Sequence, residues 1–365
     1  MDFIRVEDCC EILDSQRKPV TESERVPGMY PYYGANGLQG TINQYIFDDK
    51  LVLVAEDGCH FGSKTKPITY LVNGKCWVNN HAHVLRAKKG FLAEYICYSL
   101  MFYKIEGYIN GATRQKLTQA ALRKLIIPKR PIEYQKAIVD RLDLVKCIIE
   151  KKQIIINELD LLIKSRFVEL ISKNKLIYQK VRLKDCCLIS SGATPSRKNS
   201  DYWDENGINW FKTTELKNNF LIDSEERISE LGYEKTSVKL LPKHTVLIAM
   251  YGQGKTRGMT GYLLNNATTN QACAALISLD IINPKYLWYT MINSYDRLRN
   301  MAKGGTQPNL SVSSIKDFEI ILPPIDIQNK FTNYIEQINK LKSDVQKSID
   351  ETQLLMDSLM QEYFG

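Results

Sequence analysis

PIEYQKAIVDRLDLVKCIIEKKQIIINELDLLIKSRFVELI, residues 131–171, contains no glycine, and its single proline stands first, where a helix tolerates it. Ile138, Leu142, Val145, Ile149, Ile156, Leu159 and Ile163 recur at spacings of three, four or seven and form one stripe. The opposite face carries Asp140, Lys146, Glu150, Lys151, Asn157, Asp160 and Lys164. The pattern predicts a rod of roughly 38 residues and about 57 Å. A narrow apolar stripe of that length needs a second long helix to lie against.

The chain supplies one. GATRQKLTQAALRKLIIPKRPIEYQKAI from Gly111 aligns without a gap on GGTQPNLSVSSIKDFEIILPPIDIQNKF from Gly304, an offset of 304 − 111 = 193. Gly111, Thr113, Leu117, Pro131, Ile132 and Gln135 match Gly304, Thr306, Leu310, Pro324, Ile325 and Gln328. At the far end Leu161, Leu162, Ser165 and Glu169 match Leu354, Leu355, Ser358 and Glu362. The second helix is expected from about Ile325 to Phe364. Looser matches precede the rods: RVEDCCEIL with RLKDCCLIS, LVLVAEDG with TVLIAMYG, and Asn80–His83 with Asn270–Cys273. The chain therefore reads as variable module, rod, variable module, rod.

At 365 residues, two domains are expected over one. Hydrophobic residues at 44% and charged residues at 25% describe a globular chain, and no apolar run reaches membrane-spanning length. The opening MDFIRVEDCC lacks a signal-peptide pattern. Nine scattered cysteines without a C-x-x-C pair argue against a disulfide framework or zinc ribbon, so a reducing cytoplasm is expected. A net charge of +8 permits nucleic acid without requiring it.

Within the first module, Val6–Leu13 reads as a short helix or strand start, and YPYYGANGLQG as turn chemistry. GTINQYIF, KLVLVAEDG and KCWVNNHAHVLRA read as strands, and Phe91–Ile105 as a buried helix. In the second, SSGATPSRKNSDYW reads as a basic loop, while INWFKTTELKN, HTVLIAMYG and ATTNQACAALISL contain strands. PKYLWYTMINSYDRLRNMA reads as one helix. Mixed α+β modules with little parallel βαβ alternation are expected.

YPYYGANG at 30–37, SSGATPS at 190–196, INWFKTTEL at 208–216, MYGQGKTRG at 250–258, ATTNQACAAL at 267–276, GGTQPNLS at 304–311 and ILPPIDIQ at 321–328 together resemble the specificity subunits of type I restriction–modification systems. The resemblance covers essentially the whole chain. It implies an α+β fold class: two similar target-recognition domains separated by two long helices that form an antiparallel coiled coil, a pseudo-two-fold internal repeat. The corresponding boundaries are 1–130 and 173–323 for the recognition domains, with 131–172 and 324–365 for the spacer helices. It also implies a non-catalytic role, in which double-stranded DNA is read as a bipartite, asymmetric site, one half per domain. Two methyltransferase subunits and two restriction/translocase subunits would be the partners, with no membrane and no cofactor. The competing reading is a stand-alone nucleic-acid-binding or scaffold protein of the same architecture.

Enzymatic motifs are incomplete. GQGKT at Gly252–Thr256 resembles the end of a phosphate-binding loop, but Ala249 stands where its first glycine belongs. Asn283-Pro-Lys-Tyr286 lacks the second proline of an amino-methyltransferase tetrapeptide. His81 and His83 have a spacing zinc can use, yet no Cys or Asp stands nearby in sequence, so polar or base-contacting histidines are expected and no metal. Asp57, His60 and Ser63 read as a polar loop rather than a hydrolytic set.

DNA contact requires cations at phosphates and forked or amide side chains at base edges. The first module offers Tyr32, Tyr33, Asn36, Lys64, Lys66, His81 and His83, with Arg114 and Lys116 near the rod. The second offers Arg197, Lys198, Lys212, Thr213, Tyr251, Gln253, Lys255 and Arg257, with Gln307 and Asn309 near the rod. Solvated charge is the competing reading for each Lys and Arg, and core packing for Tyr32, Tyr33 and Tyr251. Gln253, Lys255 and Arg257 share one glycine-punctuated loop, with alternate residues expected to point one way.

Overall fold

The computed structural model describes residues 2–59, 61–63, 66–110, 115–173, 177–252, 254–302 and 309–365. The chain divides into two compact units, 1–154 with 345–365, and 155–344. Each unit therefore owns half of each long helix. Those helices run Ile132–Lys173 and Ile325–Phe364, within two residues of the expected bounds.

In the first unit Ile138, Val139, Leu142 and Val145 are buried with Met356 and Tyr363. Arg141 Nη1 donates to the Tyr363 hydroxyl at 3.0 Å. Lys152 Nζ donates to the Ser348 carbonyl, the Ser348 hydroxyl and the Thr352 hydroxyl at 2.9, 2.8 and 2.7 Å. In the second unit Ile163 and Phe167 pack with Phe331, Ile335 and Ile338, and Lys342 Nζ lies 2.5 Å from Asp160 Oδ1. Within each unit the partner's number falls as the residue number rises, so the pairing is antiparallel. Of the stripe anticipated from spacing, Ile138, Leu142, Val145 and Ile163 are buried and Ile149, Ile156 and Leu159 partly so, whereas every residue named for the opposite face is exposed.

The first module is built on a six-stranded sheet ordered Cys10–Ile12, Ala82–Ala87, Phe47–Ala55, Thr69–Val78, Tyr30–Gly34, Gly37–Ile42. All pairings are antiparallel except Tyr30–Gly34 with Thr69–Val78. Leu51–Ala55 are fully buried, because both sheet faces are covered. Val52 and Val54 face Ile96 and Leu100 of the helix Ala93–Met101, whereas Leu51 and Leu53 join Phe47, Val78 and Val84. Tyr95 and Tyr98, also on that helix, pack instead on the long helices. A helix wedged between two layers is apolar nearly all round.

The second module repeats this with a five-stranded sheet, Cys187–Ser191, Cys273–Ser278, Val246–Ala249, Thr260–Leu263, Asn219–Leu221. A three-stranded sheet adds Glu226–Ile228, Trp203–Phe211 and Thr268–Thr269. Val246 and Ile248 pack against Tyr286, Leu287 and Met291 of the helix Pro284–Asn293, and Leu247 and Ala249 against the opposite core.

Several expected elements are subdivided. YPYYGANGLQG is a hairpin, with strands Tyr30–Gly34 and Gly37–Ile42 flanking its turn. KCWVNNHAHVLRA spans two strands broken at residues 79–81, and ATTNQACAALISL likewise breaks between Thr269 and Cys273. The buried helix covers only Ala93–Met101, because the backbone leaves helical geometry at Phe102. PKYLWYTMINSYDRLRNMA forms two helices, Pro284–Asn293 and Tyr295–Asn300, separated at Ser294.

The repeat persists in individual hydrogen bonds. Gln135 is fully buried; its Oε1 accepts from the Leu92 amide at 2.9 Å, and its Nε2 donates to the Gly90 and Arg130 carbonyls at 3.0 and 2.9 Å. Gln328 is fully buried too, accepting from the Asn283 amide at 2.8 Å and donating to the Ile281 and Pro323 carbonyls at 3.1 and 2.8 Å. Tyr95 OH donates to the Pro128 carbonyl at 2.9 Å, and Tyr286 OH to the Ile321 carbonyl at 2.8 Å.

One alignment needs correction. The His81 amide donates to Asn79 Oδ1 at 2.8 Å, and the Ala272 amide to Asn270 Oδ1 at 3.1 Å. Asn79, not Asn80, is therefore the counterpart of Asn270, and His83 beside Val54 corresponds to Ala274 beside Ile248.

Candidate nucleic-acid interface

Polar side chains gather at one edge of each main sheet, and the backbone shows why. In the first module the Asn79 amide donates to the Tyr33 carbonyl at 3.0 Å, the Glu56 amide to His81 at 2.9 Å, and the Leu117 amide to Glu56 at 2.8 Å. In the second, Asn270 donates to Phe211 at 3.2 Å, Met250 to Ala272 at 2.8 Å, and Leu310 to Met250 at 3.0 Å. Three loops and the segment leading to the rod are thus stitched side by side in both modules. Loops held on a rigid sheet end suit recognition.

In the first module Asn36 is exposed, and its Nδ2 donates to the Gly58 carbonyl at 2.9 Å. Lys66 is exposed, with its amide on the Ser63 hydroxyl at 3.0 Å. Tyr33 is half-buried with its ring 5.9 Å from Tyr70, and burial raises its phenol. His81 lies just ahead of its strand, half-exposed, with Nδ1 2.7 Å from Asp57 Oδ1. Lys116 is exposed and reaches Glu56 at 2.8 Å. Lys64, Arg114 and His60 lie outside the described residues.

Two expectations fail on burial. Tyr32 is 1% exposed; its hydroxyl donates to the Val20 carbonyl at 3.0 Å and accepts the Val20 amide at 3.1 Å. It is a core residue. His83 is fully buried, with Nδ1 2.6 Å from Asp14 Oδ2 and Nε2 2.8 Å from the Leu117 carbonyl. A carbonyl only accepts, so Nε2 carries a proton and neither ring nitrogen remains for a base or a metal.

His83 belongs to a buried ionic network that local sequence conceals. Arg17 Nη1 lies 2.7 Å from Glu56 Oε2, and Arg17 Nη2 lies 3.5 Å from Asp14. Burial alone would raise the Asp14 carboxyl; the hydrogen bond and charge of His83, with Gln119 and the Val84 amide, outweigh it and hold Asp14 below its usual value. Burial likewise opposes Glu56, which Lys116 and Arg17 hold low. Asp14, Glu56 and His83 place ligand-type atoms within 4.8 Å of one another. With Arg17 and Lys116 already on those carboxylates, the set reads as a structural ion network.

In the second module Lys198 and Lys255 are exposed, Tyr251 is 42% exposed, and Thr213, Arg257 and Asn309 are partly buried. Lys255 and Arg257 therefore differ in exposure despite their alternate positions. Gln253 and Gln307 lie outside the described residues. Arg197 lies 3.8 Å over the Trp203 ring and forks onto Glu226, with Nη2–Oε2 at 3.1 Å. Lys212 Nζ approaches Glu226 at 2.7 Å and Glu225 at 3.0 Å. Hydrogen bonds from Arg197 and then Lys212 push the Glu226 carboxyl down to about 2. Arg197 and Lys212 are thus paired with carboxylates within the module, as Lys116 and His81 are in the first.

The family model for the type I restriction modification DNA specificity domain matches residues 1–161 and 177–352. A relative from Haemophilus influenzae, provisionally a type I restriction enzyme specificity subunit, is 36% identical over 138 residues, 38% of this chain and 35% of that one. A type I restriction enzyme specificity subunit of Methanocaldococcus jannaschii is 26% identical over 191 residues, 50% of this chain and 43% of the relative. The chain thus spans less than half the length of these curated relatives. The S subunit of a type I restriction-modification system from M. genitalium aligns over 100% of this chain and 96% of its own, with a TM-score of 0.57 at 15% identity, a likeness of fold alone. Among the described residues no helix is long and apolar enough to cross a membrane. With two copies of the family's domain matched in tandem over most of its length, the chain belongs to the type I restriction modification DNA specificity domain family.

Proposed function

We propose that this chain reads DNA sequence for a type I restriction–modification complex and leaves methylation and cleavage to other subunits. Residues 1–130 and 173–323 are the two reading domains, and 131–172 and 324–365 the helices that space them. Each domain addresses one half of a bipartite, asymmetric site. The observation that carries this reading is the contrast within the repeat: buried hydrogen bonds of Gln135 and Gln328 coincide, while loop-edge side chains differ. Asn36, Lys66, His81 and Lys116 occupy one edge; Tyr251, Lys255, Arg257 and Asn309 occupy the other. Shared scaffolds with different edges give different half-sites.

Partner docking has its own support. Leu161 and Leu162 are 62% and 46% exposed, and their repeat counterparts Leu354 and Leu355 are 69% and 51% exposed. An exposed leucine pair that recurs in the repeat offers two equivalent apolar footholds. Two copies of a methyltransferase subunit would use them, with two translocase subunits joining in a cytoplasmic assembly. Co-expression with the host methyltransferase, followed by mass determination and footprinting on the methylated sequence, tests the reading. Co-purification and a footprint in two patches are expected; a lone chain with one continuous, sequence-independent footprint would favour a stand-alone scaffold.

A further inference from the structure

The segment between the strands Val246–Ala249 and Thr260–Leu263 carries Tyr251, Lys255 and Arg257 and is closed at its base. The Gly258 amide donates to the Ala249 carbonyl and the Ala249 amide to the Met259 carbonyl, both at 2.9 Å. Those two bonds join residues 249, 258 and 259 and do not themselves reach the carbonyls of Lys255 and Arg257 on the far side of the turn. There the helix Tyr295–Asn300 reaches in. Tyr295 OH donates to the Lys255 carbonyl at 2.8 Å. Arg299 Nη1 donates to the Arg257 carbonyl at 3.0 Å and also to the Tyr295 hydroxyl at 3.2 Å. Gly258, at φ +87°, permits the approach: a Cβ there would stand 3.3 Å from the Tyr295 ring and 3.4 Å from Arg299 Cγ.

We propose that Tyr295 and Arg299 are positioning residues that set the sequence preference of the second reading domain by latching the Lys255 and Arg257 carbonyls. The proposal rests on the reading of this loop as a DNA contact. Two side chains bonded to each other grip two alternate carbonyls of one turn, so Lys255 and Arg257 are oriented as a pair. Recognition of a base edge is steep in geometry, and a site is only as selective as its supporting contacts are firm. The break at Ser294 matters here, because it ends the buried helix and begins the one that carries both latch residues.

The test uses the full chain assembled with its methyltransferase and a pool of duplexes randomised across both half-sites, the bound fraction being sequenced. Tyr295→Phe keeps the ring against Gly258 and removes the donor; Arg299→Met keeps the stem and removes the fork. Each is expected to cut discrimination in one half-site about tenfold, the scale of one lost base-edge contact. Preference in the other half-site, affinity for non-specific duplex and the slope of affinity against salt should not change. A merely structural role would instead lower the melting temperature and weaken both half-sites together, overturning the proposal. So would unaltered discrimination in the double variant. Lys255→Ala and Arg257→Ala run alongside separate the two ideas. If they shift the preference and the latch variants do not, the latch alone falls; if none shifts it, the loop is not the reader and both fall.

Discussion

The Leu310 amide donates to the Met250 carbonyl at 3.0 Å, pinning the segment before the second rod to the end of a central strand. Its repeat counterpart, Leu117 to Glu56 at 2.8 Å, does the same in the first module. The two bonds lie at offsets of 310 − 117 = 193 and 250 − 56 = 194. One residue of slack in the intervening loops is absorbed without disturbing the joint. The loop at the strand end is thereby tied to the segment that leads into the rod.

The buried glutamines are the sharpest test of that shared frame. Gln135→Glu or Gln328→Glu replaces an amide donor with an acceptor that faces two carbonyls. Each variant is expected to lose about 2–4 kcal/mol at neutral pH, from an unmade buried hydrogen bond plus a buried charge. The introduced carboxyl has a raised folded value, so the deficit should shrink as pH falls and the group protonates. Urea midpoints across that range check this; a pH-independent deficit would contradict the geometry.

Asp14→Asn should cost about 3–5 kcal/mol, because it leaves His83 and Arg17 buried beside a neutral amide. Asp14 is held below its ordinary value of 3.8. Its contribution is therefore present above that value and lost as pH falls through the lower folded one. Thermal unfolding below pH 4 should find the wild type converging on the variant.

Glu226 offers a surface counterpart. Held at about 2 against an ordinary 4.5, it stabilises above 4.5, and that stabilisation fades as pH drops toward 2. Since the group is largely solvated, Glu226→Gln should cost no more than about 1 kcal/mol. The variant should also leave Arg197 available to phosphate, while Glu225 still holds Lys212 at 3.0 Å, steepening the salt dependence of DNA binding by about one unit.

Arg257→Ala is expected to relax or abolish recognition in one half-site only. Sequencing of selected duplexes decides it. Equal weakening on every sequence would make Arg257 a phosphate contact.

Leu161→Glu and Leu354→Glu each place a charge on one exposed repeat of the leucine pair. Each is expected to release one methyltransferase copy, and the double variant both, as read by light scattering of the assembled complex. An unchanged mass in the double variant would remove these leucines from the interface.

The amino-acid sequence by itself determined the long-range plan, because that plan rests on local and periodic information. Three-and-four spacing gave both rods to within two residues, and a constant offset exposed the internal repeat. β-branched content marked KLVLVAEDG as a strand, while its burial on both faces emerged from the structure. Only the tertiary structure decided which polar residues face solvent. Tyr32 and His83 carry the same residue chemistry as Tyr33 and His81; strand alternation sends Tyr32 inward beside Tyr33, whereas His83 lies within the buried strand Ala82–Ala87 and His81 just ahead of it. Asp14 and Glu56 meet His83 across separations of 83 − 14 = 69 and 83 − 56 = 27 residues, Arg17 meets Glu56 across 56 − 17 = 39, and Tyr295 meets Lys255 across 295 − 255 = 40. Such partners are joined by sheet register and helix breaks, which no short-range pattern encodes.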